Sequence, residues 1–148
     1  MGCDIHAVIE RKFDDGWHVV AEVNGLCDQR DYEFFTHLCG VRNYNGDDEN
    51  WPQPKGVPDD ASTVTKWKVE GWGYDGHSHS WDTAKDFIDK KLAIARIRGD
   101  NDTDASYEWY AYKALGYSCD DQENDYSCEK DQDYCFNELY RVVYWFDN

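Results

Sequence analysis

The chain has 148 residues with 31 acidic against 15 basic side chains, a formal net charge of −16 at pH 7. That length suits one domain able to bury a core without staples. The acidity leaves no basic stripe for phosphate backbones, so direct nucleic-acid binding and anionic membrane surfaces are not expected. Aromatic residues make up 16% of the chain, with 7 Trp and 11 Tyr, so some should line a pocket or an interface.

The first segment, Gly2 to Glu10, alternates at the period of a strand. Cys3, Ile5, Ala7 and Ile9 form one face; Asp4, His6, Val8 and Glu10 form the other. Asp4 and His6 also fall where a secretory leader would be apolar, and no apolar run reaches membrane-spanning length, so a cytoplasmic location is expected. In that compartment Cys3, Cys27, Cys39, Cys119, Cys128 and Cys135 read as free thiols, with the last three held open. The last three lack the short Cys-x2-Cys spacing of a zinc site.

Asp15-Gly16 is a hairpin turn signal, and Trp17 to Val23 returns as the antiparallel partner, closed by Asn24-Gly25. Tyr32, Phe35, Leu38 and Cys39 recur at helical spacing behind the caps Asp28 or Asp31, and Gly40 supplies the stop, which predicts a helix over 30–39. Residues 41–60 are polar, irregular and hold all three prolines. A loop of about twenty residues inside one domain is usually functional or disordered, and with Tyr44 and Trp51 in it, it is expected to fold over a site.

A second helix is predicted over 61–70, with an N-cap pattern in Asp59-Asp60-Ala61-Ser62. Gly71 to Asp82 reads as a glycine-rich loop displaying His77, Ser78, His79 and Ser80. A third helix is predicted over 83–96, with Asp82 as its cap. Beyond it, 107–115 reads as a helix and 98–136 as an acidic, aromatic-rich insertion. Leu139 to Phe146 reads as a strand buried on both faces. The fold expected is therefore α+β: a single domain over 1–148, with an antiparallel sheet from the N-terminal hairpin and the C-terminal strand. The helices at 30–39 and 83–96 should pack on the Cys3/Ile5 face.

Two acid-and-imidazole segments carry the chemistry. Asp4 and His6 sit on the first strand; Asp75, His77 and His79 sit in the glycine loop. If His6 and His77 converge, with Asp4 and Asp75 orienting them, one imidazole takes a proton from an attacking hydroxyl and the other gives one to the leaving oxygen, as phosphodiester cleavage requires. The same residues offer a divalent metal, of zinc or manganese type, the ligands Asp4, His6, His77 and His79. Ser78, His79, Ser80, Trp81, Trp51, Tyr44, Arg42 and Lys55 are the candidates for holding substrate, the cations by charge-assisted hydrogen bonds to phosphate. Arg30 and Arg141 also stand beside site elements, while His18 and His37 read as structural.

Several segments carry a resemblance: Met1-Gly2-Cys3-Asp4-Ile5-His6, Arg30-Asp31-Tyr32-x2-Phe35 with Val41-Arg42-Asn43, Gly56-Val57-Pro58-x-Asp60-x-Ser62, His77-Ser78-x-Ser80-Trp81 and the terminal Val143 to Asn148. Together they resemble a family of small uncharacterised bacteriophage proteins. The resemblance spans most of 1–97 and the last strand; the family's usual Arg-Gly-Leu-Pro is Lys55-Gly56-Val57-Pro58 here. What it implies is a phage protein in the host cytoplasm, a setting in which small proteins with a polar pocket often counter host defence. The first functional reading is then an enzyme, a phosphodiesterase that cleaves a cyclic-nucleotide immune signal. The second is a non-catalytic sponge that sequesters a nucleotide against Trp51, Trp72, Tyr74 and Trp81. The third is an acidic DNA mimic that inhibits a host protein. The partner expected in the first two is a small nucleotide ligand, with a homo-oligomer left open and no membrane.

Overall fold

The structure is a computed structural model and describes residues 2–22, 30–44, 50–97 and 139–148. In chain order these form β1 (Ile5–Phe13), β2 (Gly16–Glu22), α1 (Tyr32–Cys39), α2 (Thr63–Trp72), a 3-10 turn (Gly73–Asp75), β3 (His77–Thr83), α3 (Ala84–Ile97) and β4 (Tyr140–Phe146). The four strands make one antiparallel sheet in the order β2-β1-β4-β3. The N-terminal hairpin and the C-terminal strand do share this sheet, and β4 lies inside it with all seven residues buried, which is why its sequence has no polar alternation. Gly16, at φ 122°, makes the hairpin turn that no side-chain-bearing residue adopts cheaply.

Register divides the side chains. Ile5, Ala7 and Ile9 pair with Phe146, Tyr144 and Val142 on one face; His6, Val8 and Glu10 pair with Trp145, Val143 and Arg141 on the other. The first face receives α1 and α3 and closes over Cys3, Ile5, Ile9, Phe34, Phe35, Leu38, Phe87, Ile94, Tyr144 and Phe146. Each such side chain fully buried is worth about 1.5–3 kcal/mol. The helix over 30–39 thus packs where expected, capped by Asp31 on the Phe34 N–H and ended by Gly40 in the left-handed region at φ 68°.

The second face carries α2, with Val69 and Trp72 against Val8, Val143 and Trp145. A buried polar network sets its entry. Glu10, wholly buried, accepts from the Ser62 N–H (2.8 Å), the Thr65 hydroxyl (2.6 Å) and Arg141 Nε (2.8 Å). Ser62 in turn caps α2 by accepting the Thr65 N–H at 3.0 Å. Arg141 reaches Asp60 at 2.8 Å and lies 3.9 Å above the Trp17 ring.

Three expectations change. The segment around His77 is no glycine loop but an edge strand, because its inward residues are Ser80 and Asp82, polar side chains satisfied by the Lys55 N–H and by Lys90 and Tyr144. Asp82 does not cap α3; Thr83 does, accepting the Asp86 N–H at 3.2 Å. The segment from 50 to 60 does not fold over His6. Gly56 N–H donates to His79 O at 2.8 Å and Lys55 binds Ser80, Trp81 and Asp82, so the segment straps the open edge of β3 and covers its backbone. The acidic insertion, the helix over 107–115, Cys119, Cys128 and Cys135 lie outside the described residues. Among the described residues no helix is long and apolar enough to cross a membrane.

Candidate functional site

β1 begins, β4 ends and β3 begins at the same end of the sheet. The ladder continues there past its last assigned pair: Asp147 N–H donates to Asp4 O at 3.1 Å, and Asp4 N–H donates to Asp147 Oδ1 at 3.0 Å. Asp147 is thereby fixed on the second face, two pairs along from His6 and diagonally opposite it. Its other oxygen, Oδ2, lies 3.0 Å from His6 Nε2. An ionised carboxylate only accepts, so the imidazole donates through Nε2 and, when neutral, presents Nδ1 as a proton acceptor. The pair is half sheltered, with 27% and 16% of the two side chains exposed, enough contact with solvent for a ligand to reach it.

Aromatic rings hold that imidazole in place. Trp72, the last residue of α2, lies 4.1 Å from the His6 ring centre at 31°, and Trp145 lies 6.0 Å away at 27°. His79 joins them through a β-bulge. The register of β3 slips by one residue between His77 and Ser80, with Ser78 in the left-handed region at φ 52°. A Cβ placed on Gly76 would lie 3.0 Å from Trp72 Cβ, 3.5 Å from His79 Nε2 and 3.6 Å from Trp145 Cδ1. Gly76 therefore sits where Trp72, His79 and Trp145 meet, and any larger residue would crowd them. His79 Nε2 and Trp145 Nε1 are both buried without a hydrogen-bond partner. Burial, and then the nearby His77, hold the His79 imidazole below its usual pKa, which favours its neutral form.

Charged groups line the rim. Asp4 does not turn to His6; it takes Arg30 in a two-pronged pair, 2.7 Å to Nε and 3.1 Å to Nη2. That hydrogen bond holds the Asp4 carboxyl below the usual carboxylate range. Arg30 lies so close over Gly2 that an added Cβ would fall 1.8 Å from Nη1. Arg42, at φ 58°, points Nη1 to the Tyr44 hydroxyl and Nη2 to Asn148, each at 3.4 Å. Arg42 and Ser78 are the two positive-φ residues other than glycine among the described residues, and both stand at this end of the sheet.

The expected pairing of His6 with His77 is corrected by register. His77 is opposite Phe146, stacks on it at 6.2 Å, and so belongs to the first face; its Nδ1 bonds Ser78 Oγ at 2.9 Å. His6 is on the other face and two strands away, roughly 10 Å by strand spacing alone. Asp75 is exposed in the 3-10 turn. The partner that orients His6 is Asp147, and the imidazole on the same face is His79, on the far side of Trp145. No group of three His, Cys, Asp or Glu among the described residues is arranged to hold a metal ion, so the set Asp4, His6, His77 and His79 is not assembled.

The remaining candidates divide similarly. Trp81 is on the second face, but with Lys55 Nζ 4.5 Å above its ring and Arg141 at 6.0 Å it belongs to the strap and the buried network. Ser80 is buried and Trp51 packs at 4.6 Å on His37 of α1, across the sheet from His6. Arg42 and Tyr44 remain at the rim. His18, bonded to Asp15 at 2.8 Å, steadies the hairpin turn. Asp147 was the residue sequence reasoning missed, and its signal was present: two antiparallel strands at the chain ends bring 147 diagonally opposite 6. Compared with protein-family models, curated proteins and solved structures, the chain matches none.

Proposed function

We propose that the protein acts on a small nucleotide, most concretely by cleaving the phosphodiester of a cyclic-nucleotide immune signal in a phage-infected cell. The observation that supports this reading is the His6–Asp147 pair, a half-sheltered imidazole with its tautomer set by a carboxylate and its ring braced by Trp72. In this reading His6 Nδ1 takes the proton of an attacking water or ribose hydroxyl as that oxygen bonds phosphorus. The bond from phosphorus to the leaving oxygen breaks, and the leaving oxygen takes a proton from solvent. Arg30 is the rim cation offered to phosphate oxygens, by exchanging Asp4 for the ligand, with Arg42 as a further candidate at the same end of the sheet.

A second reading, sequestration without turnover, is favoured by one observation: His77 lies across the sheet, and His79, the strand-borne imidazole on the His6 face, has its Nε2 buried and is favoured in its neutral form, so neither stands ready as the acid. Incubation with a panel of cyclic di- and trinucleotides, with and without a chelator, followed by chromatography separates the two. The enzyme reading expects linear products from the wild type and a rate about 10²- to 10⁴-fold lower in His6→Ala, with binding largely kept. Ligand that is bound yet intact at every time point contradicts cleavage and supports sequestration.

A further inference from the structure

Two ion pairs stand where β1 begins and β4 ends, and they are held differently. His6 and Asp147 are half sheltered, whereas the Arg30 and Asp4 side chains are 55% and 47% exposed. Asp4 places both carboxylate oxygens on one edge of the guanidinium, Oδ1 on Nε at 2.7 Å and Oδ2 on Nη2 at 3.1 Å. Open to water on both sides, such a pair is held weakly, because solvent screens the attraction and two side chains must be kept in one geometry. The same planar fork binds carboxylate and phosphate oxygens alike. Of the two pairs, this is the one a ligand can open.

Arg30 does not depend on Asp4 alone for its position. An added Cβ on Gly2 would fall 1.8 Å from Nη1, 2.1 Å from Cζ and 2.7 Å from Nε, so the guanidinium lies against the Gly2 backbone in space that only glycine leaves open. Its main chain is fixed just before α1, where Arg30 O accepts the Tyr32 N–H at 3.1 Å. With Asp4 turned away, the fork stays at this end of the sheet. Asp4 is two residues from His6 on the same side of β1, roughly 7 Å along the strand, so a group that replaces it lies beside the imidazole.

We propose that Arg30 in its Gly2 cradle is the site for a phosphate group, and that Asp4 is a built-in competitor which occupies the fork until a pair of phosphate oxygens displaces it. The inference rests on the nucleotide reading for its ligand, and it gives Asp4 a role opposite to catalysis, that of holding the site closed. Charge sets the ligand class. The chain carries −16, and an anion with a single charge only breaks even against the carboxylate it displaces. The exchange favours an anion with more than one negative charge, such as the orthophosphate dianion or a nucleotide with two phosphates, over a cyclic mononucleotide.

Titration of the whole chain with inorganic phosphate, followed on the Arg30 Nε–H signal by NMR, tests this directly. Asp4→Asn should bind phosphate about 3- to 10-fold more tightly than the wild type, since it releases an exposed pair and removes a like charge from the ligand. Arg30→Gln, followed on the His6 imidazole signal, should show no saturable binding. Adding Gly2→Ala to Asp4→Asn should reverse the gain, because the new methyl group takes the place of the guanidinium. Both charged side chains are about half exposed, so their variants should keep the wild-type circular dichroism spectrum. An Asp4→Asn protein that binds phosphate no more tightly than the wild type, an Arg30→Gln protein that binds it equally well, or a gain that survives Gly2→Ala overturns the proposal. Cleavage assays with cyclic dinucleotides keep the two claims apart. Wild-type turnover with no gain in Asp4→Asn overturns the competitor and leaves the enzyme reading standing, whereas tighter phosphate binding with every dinucleotide intact supports the competitor and contradicts cleavage.

Discussion

The two faces of the sheet are built on different principles. The α1/α3 face is held by aliphatic and aromatic packing over Phe34, Phe35, Leu38, Phe87 and Phe146. On the α2 face the apolar cluster is small, and the helix is located by Glu10, Arg141, Ser62 and Thr65. Apolar packing tolerates change in proportion to volume, whereas a buried ion pair fails when one partner goes, since the other is left charged without compensation. The polar face is the one that carries His6, and a face fixed by directional bonds is suited to hold an imidazole at a set position.

The largest expected effect follows from that contrast. Glu10→Ala should cost about 3–5 kcal/mol in chemical denaturation, because Arg141 stays buried with its Nε unpaired and only the exposed Asp60 left as a partner. Replacing both partners by apolar residues, Glu10→Leu with Arg141→Met, should recover most of the loss. Leu38→Ala on the other face should cost about 2–5 kcal/mol, and no second substitution of charge will recover it. A double variant no more stable than Glu10→Ala alone would mean the network is not what fixes α2.

Much of this division was legible in the sequence. Period-two alternation in 2–10 separated the faces, and the capping residues Asp31, Ser62 and Gly40 bounded their helices within two residues. β3 was not legible, because its buried face is Ser80 and Asp82, and a strand whose inward side chains are polar has no apolar alternation to read. The site was half legible for the same kind of reason. His6 could be placed on a face from β1 alone, but its partner depends on β4 register, and the bulge at Ser78 sends His77 to one side and His79 to the other. A one-residue slip reverses every facing, and no local pattern announces it.

A smaller effect is expected at the cap of α2. Ser62→Ala removes the acceptor for the Thr65 N–H and should cost about 1 kcal/mol. Its value as a test lies in its reach, for if α2 is what braces His6, the Trp72 indole resonance should shift with it. A cap loss confined to stability, with Trp72 unmoved, would separate the helix from the site.

The smallest effect is a pH dependence. His79 is held below its unfolded value of 6.5 by burial, so between 6.5 and its folded value the unfolded chain binds more protons than the folded one. The corresponding stability is fully present above 6.5 and is lost as pH falls through the folded value. Denaturation midpoints measured over that window should fall on acidification in the wild type and flatten in His79→Gln. An unchanged slope in the variant would place the proton uptake elsewhere.

The central claim is that ligand engages the His6 face and not the His77 face. Nitrogen-edited NMR of the tryptophan indole and histidine imidazole groups, followed while a panel of cyclic di- and trinucleotides is added, reads both faces at once. The account predicts that a binding nucleotide shifts Trp72, Trp145, His6 and His79 while Trp51 and His37, packed together across the sheet, stay in place. Shifts centred on Trp51 and His37 with His6 unmoved would contradict it.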